Sequence, residues 1–391
     1  MRWTPSKLIP RSAPAALALL LVIAVAGFAA VGHLVNRFNS NQRARGWRLY
    51  ERGLADVKKN DLSAAVNDFR SALTYDPTNS QYQLSLGRVL RDMGRLDEAE
   101  SYLVALWERS PQDGPINLAL GRVAARRGSL EDSLRYYHNA IYGVWNSDAD
   151  GNRRKARLEL IEFLLQKGAL GEARSELVAL AASLPPDAGL HLEAANFLLQ
   201  AEDYRDALSE YDQVLRLDHA NAAAIAGEGE ANYRLGRYRS AARYLQMAVN
   251  NNPQDSNSRQ LLEFASLILH IDPMVRRISD AERSRRIKAA FFQAGDRLKS
   301  CAEAKGVDLS EKAPDTGAAA SQSPLVRLQA RWSEMKSDLR NLESEDEGDF
   351  ADSFLDLVLQ IEQETAAECG QPRGVDLALL MMSRNREGAD Q

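Results

Sequence analysis

Between residues 46 and 255, small and apolar positions recur on a 34-residue ruler. Units start at 46, 80 and 114 and, after six polar residues at 148–153 that are expected to form a longer loop, again at 154, 188 and 222. Position 8 of the units is Gly53, Gly87, Gly121, Ile161, Ala195 and Gly229, and position 20 is Ala65, Ala99, Ser133, Ala173, Ala207 and Ala241. Position 32 is Pro77, Pro111, Trp145, Pro185, His219 and Pro253. Each unit predicts two amphipathic helices joined by a short turn, because apolar residues at helical spacing give each helix one stripe to bury. Small residues at positions 8 and 20 let the two backbones approach, and large ones such as Phe69, Leu86 and Leu120 fill the remaining gap. Position 15 is Gly94, Gly128, Gly168 and Gly236, which suits a left-handed turn out of the first helix. Proline at position 32 cannot extend the second helix. A period of this length predicts stacked hairpins, none of which can bury its apolar face alone.

The longest unbroken apolar run lies ahead of the repeats. Residues 12–36 carry no charge, and 15–32 are apolar throughout, long enough to cross a bilayer. Two expectations compete. One is an uncleaved anchor over residues 13–36, with a short tail at 1–12 and a juxtamembrane segment at 37–45. The other is a secretory signal cut after Ala24-Val25-Ala26, leaving a mature start near Gly27. The apolar run continues past that site to Val35, which favours the anchor. Arg2, Lys7, Arg11 and the terminal amine on one side balance Arg37, Arg43, Arg45 and Arg48 on the other, so the charge rule assigns no orientation. A short leading tail kept inside is the simpler insertion and would put the repeats on the extracytoplasmic side.

Beyond the repeats, residues 256–272 are apolar at helical spacing and are expected to cap the last hydrophobic edge. Residues 273–391 leave the register. Arg276, Arg277, Arg283, Arg285, Arg286 and Lys288 make one stretch basic, ahead of Ala289, Ala290, Phe291 and Phe292. That stretch is a solvated helix face, or a contact for anionic lipid or an acidic partner. A linker is expected near 308–323, then helices around 325–342 and 350–368 separated by an acidic turn at 343–349, with fraying over 385–391. The two cysteines, Cys301 and Cys369, are each followed, after three intervening residues, by a base and a Gly-Val-Asp-Leu run, and Gly306 and Gly374 are placed to follow helix ends. A disulfide between them would add about 4 kcal/mol in the chain-entropy account; two unrelated buried thiols are the alternative. Two thiolates without a neighbouring histidine fall short of a metal site.

Composition narrows function by exclusion. The net charge of −5, spread along the helices, argues against nucleic acid. The histidines His33, His138, His191, His219 and His270 are scattered, and neither a phosphate-cradling glycine loop nor a Gly-x-Ser-x-Gly elbow occurs. No catalytic constellation and no cofactor site are expected, so the chain reads as a non-enzyme.

Taken together, the small, aromatic and proline positions in one register resemble the tetratricopeptide repeat over residues 46–255. Ile161, Trp145 and His219 depart from the pattern. The resemblance implies an all-α, right-handed superhelical solenoid, preceded here by one transmembrane helix and followed by a small helical domain. In this family the first helix of each hairpin lines a concave face, chiefly at positions 2, 5, 6, 9, 12 and 13. Those positions carry a basic group, Arg88, Arg91, Arg122 and Arg126, in units two and three. They carry Glu159, Glu162, Glu193, Asn196, Glu230 and Tyr233 in units four to six. Such a groove would orient an extended peptide of opposite polarity; ordinary solvated charge paired within helices is the alternative. The family's clamp for chaperone tails is absent, since Tyr50, Leu54, Leu84 and Arg88 stand at its places. The expected function is a membrane-anchored scaffold or adaptor that binds protein or extended peptide, in envelope assembly or secretion, and meets the bilayer through its anchor. The alternative is an accessory subunit of an enzyme or sensor complex whose activity resides in the carboxy-terminal region. The sequence carries no signal of oligomeric state.

Overall fold

A computed structural model describes residues 13–310, 323–339 and 348–389. Seventeen helices and no strand occur among the described residues, apart from one isolated bridge between Asp113 and Val144. The helices gather into two compact units, Met1–Ala169 and Leu170–Gln391. The expected tail at 1–12 lies outside the described residues.

The first unit holds α1 (Ala13–Lys58), α2 (Leu62–Tyr75), α3 (Ser80–Asp92), α4 (Leu96–Trp107), α5 (Gly114–Arg127), α6 (Leu130–Ile141) and α7 (Ala149–Gln166). Each hairpin is closed by one residue pair in a constant register. A Cβ added to Gly53 would lie 2.6 Å from Phe69, and one added to Gly87 would lie 2.8 Å from Leu103. Position 8 is therefore small because position 24 of the returning helix fills its place. Ala65, Ala99 and Ser133, at position 20, are fully buried. Asp61, Asn79 and Asp113 cap α2, α3 and α5 by accepting from backbone N–H groups of the first turn. The turn glycines Gly94, Gly128, Gly168 and, in the second unit, Gly236 have φ of 70–77°. Asn60 and Glu202 hold the same position in the other two units and keep the same hand, both at φ 60°. Asparagine tolerates this region; at Glu202 it costs about 1 kcal/mol.

Two expectations change. Residues 149–153 are not loop. Asp148 accepts from the Gly151 N–H at 3.3 Å and Asn152 donates back to the Ser147 and Asp148 carbonyls, so the polar insertion starts α7 and lengthens it to 18 residues. Residues 37–45 form no separate segment either, because α1 runs unbroken through the apolar stretch into the first hairpin. The apolar part of α1 has a mean hydropathy of 2.5, and none of it is buried against the protein. Among the described residues it is the one helix long and apolar enough to cross a membrane, a property that signal sequences share.

The second unit holds α8 (Leu170–Ala181), α9 (Ala188–Gln200), α10 (Tyr204–Leu217), α11 (Ala222–Arg234), α12 (Tyr238–Asn251), α13 (Ser256–Ile271), α14 (Asp280–Lys305), α15 (Pro324–Asp338), α16 (Gly348–Cys369) and α17 (Gly374–Ala389). A single core joins Tyr238 and Leu245 of the last hairpin through Ile268 to Phe291, Trp332, Phe354 and Leu379. Far from ending the hydrophobic edge, α13 is thus continued by the carboxy-terminal helices. Phe291 stacks on Trp332 with ring centroids 5.3 Å apart, and the indole Nε1 donates to the Phe291 carbonyl at 2.9 Å. Cys301 and Cys369 are joined as a disulfide, with Cα atoms 5.8 Å apart, which ties the end of α14 to the end of α16.

The basic stretch is largely answered from within. Arg283 pairs with Asp280, Arg285 and Arg286 both pair with Glu282, and Arg286 also donates to the Leu269 and Asp272 carbonyls. The two Gly-Val-Asp-Leu runs take different shapes. Gly306 ends α14 in the left-handed region, whereas Gly374 begins α17, and Gly370 follows the end of α16. A third helix, α17, follows the two expected ones, and only its last residues, 385–389, fall in the stretch expected to fray. Most of the expected linker and acidic turn (311–322 and 340–347) lies outside the described residues.

Candidate protein-binding cleft

The first helices of three consecutive hairpins, α3, α5 and α7, lie side by side in the first unit and form the floor of an open cleft of about 430 Å³. Five of the residues singled out by register, Arg91, Arg122, Arg126, Glu159 and Glu162, line it together. Tyr137 of α6 and Phe163 of α7 supply its apolar wall, and Ala125, Gln166 and Asp92 complete it. These were not singled out in sequence. Tyr137 had one signal: it is the bulky position-24 residue, here opposite Gly121, whose added Cβ would stand 3.1 Å from it.

The charges are arranged, not dispersed. Arg122 grips Glu159 bidentately, Nε to Oε2 at 2.7 Å and Nη2 to Oε1 at 2.6 Å. Both side chains are about one-quarter exposed, so the pair is screened less than a surface pair. That bond comes first among the causes that hold the Arg122 guanidinium above its ordinary pKa. Arg91 donates to Asp92 of its own helix at 2.7 Å, and Arg126 donates to the Arg91 carbonyl at 3.2 Å. Glu162 is exposed at the rim. Burial, followed by the Glu159 carboxylate, pushes the Tyr137 hydroxyl up, so it stays a neutral donor.

Arg88 of α3 does not line the cleft, but it feels the charges of Arg91 and Arg122. Its Nε is buried without a hydrogen-bond partner, as is Nη1 of Arg91. Burial first, then Arg122 and Arg91, lower its pKa from the ordinary value. The expected basic end is thus present, but its Arg122 is already neutralised by the first acidic residue of the next unit.

The other four register residues belong to the second unit. Glu193 and Asn196 are exposed on α9, and the Asn196 side-chain oxygen accepts from the Tyr211 hydroxyl at 2.9 Å. Glu230 accepts from Arg234 and Asn257, each at 3.2 Å. Tyr233 is no open groove residue. It is half-buried against Tyr238 and Phe264, and its hydroxyl points to the Met381 sulfur of α17 at 3.6 Å. A smaller cleft of about 270 Å³ in this unit is lined by His270, Gln293, Val375 and Leu379. Its two arginines, Arg285 and Arg286, are held by Glu282. His191 and Glu210 form a buried 2.6 Å contact between α9 and α10. Among the described residues, no group of His, Cys, Asp and Glu is arranged to hold a metal ion.

Comparison with known proteins agrees with the hairpin register. A family model described as tetratricopeptide repeat matches residues 57–123 and 198–263. The DnaJ protein P58IPK homolog of Arabidopsis thaliana is 23% identical over 212 residues, 54% of this chain and 38% of that protein. The TPR repeat-containing protein PA4667 of Pseudomonas aeruginosa is 27% identical over 119 residues, 26% of this chain and 20% of that protein. The chain therefore spans well under half the length of these relatives. Among solved structures, PilW, described as a widely conserved type IV pilus biogenesis factor, is 18% identical with a TM-score of 0.40, covering 56% of this chain and 98% of its own. With its hairpins closed in one register and two stretches matched by the family model, the chain carries tetratricopeptide repeats over residues 57–123 and 198–263.

Proposed function

We propose that this chain is a membrane-anchored scaffold that holds an extended segment of a partner protein in the cleft over α3, α5 and α7. The reading is of a binding protein, as repeat proteins of this fold generally are, with a role in envelope assembly or secretion. The observation that carries it is the cleft: five residues placed on the first helices by register converge on one concavity with an apolar wall and a charged rim. An apolar wall supplies affinity and paired charges supply register, which is how a rigid groove selects an unfolded strand of another chain.

The anchor reading is supported by the exposed, apolar first part of α1, which has no protein surface to cover it. Placement of the repeats outside the cytoplasm is supported by the Cys301–Cys369 bond, since such bonds persist in oxidising compartments. Protease digestion of the repeats in intact spheroplasts tests that placement; protection until lysis refutes it.

The cleft itself is tested by site-specific photocrosslinking. A crosslinker at Ala125 or Gln166 is expected to capture a defined partner, while one at Ser101, exposed on α4, captures none. Equal capture from all three sites would remove the cleft from consideration.

A further inference from the structure

We propose that the foot of the first hairpin binds the phosphate of an anionic lipid headgroup through Arg45 and Arg48; this rests on the reading of α1 as a membrane anchor. Arg45, Arg48, Leu49 and Arg52 fall on one face of α1, and with Tyr75 at the end of α2 they line an open cleft of about 250 Å³. The two helices approach closely there: a Cβ added to Gly46 would stand 3.2 Å from the Cβ of Tyr75. Arg52 is answered by Asp68, its Nη2 donating to Oδ1 at 2.6 Å. Arg45 and Arg48 are exposed, and among the described residues neither has an ion-pair partner. From Asn36 to Arg52 there are five arginines and a single acid, Glu51, so the surplus is positive.

The place of this cleft along α1 selects the ligand. The same face continues toward the amino end through Phe38 and Leu34, both exposed and apolar, so a lipid can lay an acyl chain against them and present its headgroup to the arginines. Residues 13–36 of α1 are uncharged, and at 1.5 Å per residue they span about 36 Å. That fills a hydrocarbon core of about 30 Å with room for tilt. Arg37 then marks the edge of the core, and Arg45 and Arg48 follow about 12 and 17 Å further along the axis, before tilt. Side chains on a helix lean toward its amino end, here the bilayer, and a long arginine stem carries its charge in that direction. The headgroup layer takes up about 5–8 Å of each leaflet, within reach of the two guanidiniums from the aqueous side. Tyr75 and the exposed Trp47 stand at the level where amphipathic aromatic rings settle. A phosphodiester offers one negative charge and two oxygens to a planar guanidinium. Among the described residues no carboxylate lines the cleft to repel it.

The test uses the full chain reconstituted in phosphatidylcholine vesicles that contain a phosphatidylglycerol with a photoreactive group beside its phosphate. Crosslinks are expected on residues 45–52 and at Tyr75. Unlabelled phosphatidylglycerol is expected to compete about tenfold or more better than phosphatidylcholine, whose choline cancels the charge. Arg45→Gln with Arg48→Gln should lower the crosslinking affinity by roughly fivefold for each arginine. Both side chains are exposed and unpaired, so an unchanged melting temperature is expected to accompany that loss. Arg216→Gln with Arg239→Gln, exposed on α10 and α12, makes the same change in net charge and should leave crosslinking intact. Equal crosslinking in the Arg45/Arg48 variant, or an equal loss in the Arg216/Arg239 variant, would overturn the proposal. Competition by inorganic phosphate as strong as by phosphatidylglycerol, at constant ionic strength, would assign the site to free phosphate and overturn the lipid reading. The anchor is tested separately by alkaline extraction of the same vesicles. A chain that resists extraction but is not crosslinked at this cleft keeps the anchor and loses the headgroup site, whereas a chain that is extracted loses both.

Discussion

Glu362 offers the sharpest test of the second unit. It lies on α16 with no solvent exposure, and neither carboxylate oxygen has a hydrogen-bond partner. Burial first, then the neighbouring Asp376 of α17, push its pKa from the ordinary 4.5 up to about 8, with Arg297 of α14 opposing only in part. Asp376 accepts from Gln293, and Arg297 donates to the Gly370 carbonyl, so both neighbours are held by other partners. The folded state therefore keeps a proton that the unfolded chain gives up at lower pH.

The sign and size follow from linkage. Between pH 4.5 and 8 the folded state binds more protons than the unfolded one, so stability falls as pH rises and levels off above the folded pKa. At about 1.4 kcal/mol per unit, the loss is roughly 3 kcal/mol at pH 7 and about 5 kcal/mol above pH 8. Glu362→Gln mimics the protonated acid and removes the titration. The constant cost of burying an amide drops out when only the pH dependence of the difference is read. In urea unfolding followed by circular dichroism, the variant should match the wild type, apart from a constant offset, near pH 4.5. It should then gain on the wild type steadily up to pH 8. A difference that stays constant from pH 5 to 8.5 would refute the buried-acid account.

Two further perturbations probe each unit separately. Gly53→Ala places a Cβ 2.6 Å from Phe69 and should cost about 1–3 kcal/mol as the ring is forced aside; a denaturation midpoint unchanged from wild type would show that the first hairpin does not close as described. Reduction of the Cys301–Cys369 bond, which spans 68 residues, should cost the second unit about 4 kcal/mol in the chain-entropy account. A melting transition indifferent to reductant, and matched by Cys301→Ser with Cys369→Ser, would argue against the bridge.

The repeat architecture was legible because its cause is local and periodic. Small residues at position 8 face bulky ones at position 24 in every hairpin whose glycine is resolved against its partner, as Gly87 faces Leu103 and Gly229 faces Leu245. That pairing repeats with the chain, so one register exposes it. What escaped was set by single residues without a period. The polar run from Asp148 to Arg153 has a loop's composition, but one aspartate cap and one asparagine turn it into the start of α7. The helix α17 escaped for the opposite reason. Its apolar run from Leu377 to Met382 is short and outside the repeat register, and it packs on a core assembled from helices distant in sequence.

The candidate site divides along the same line. Register placed the arginines and glutamates of the cleft on the right helices, because stacking of first helices is a property of the period. It did not identify their partners. Arg122 at position 9 of the third unit meets Glu159 at position 6 of the fourth, 37 residues on, and the pair cancels the contrast that composition alone suggests. Tyr233 looked equally available by register, yet its hydroxyl meets Met381, 148 residues away. A residue's availability depends on what the rest of the chain brings to it, which no single helix encodes.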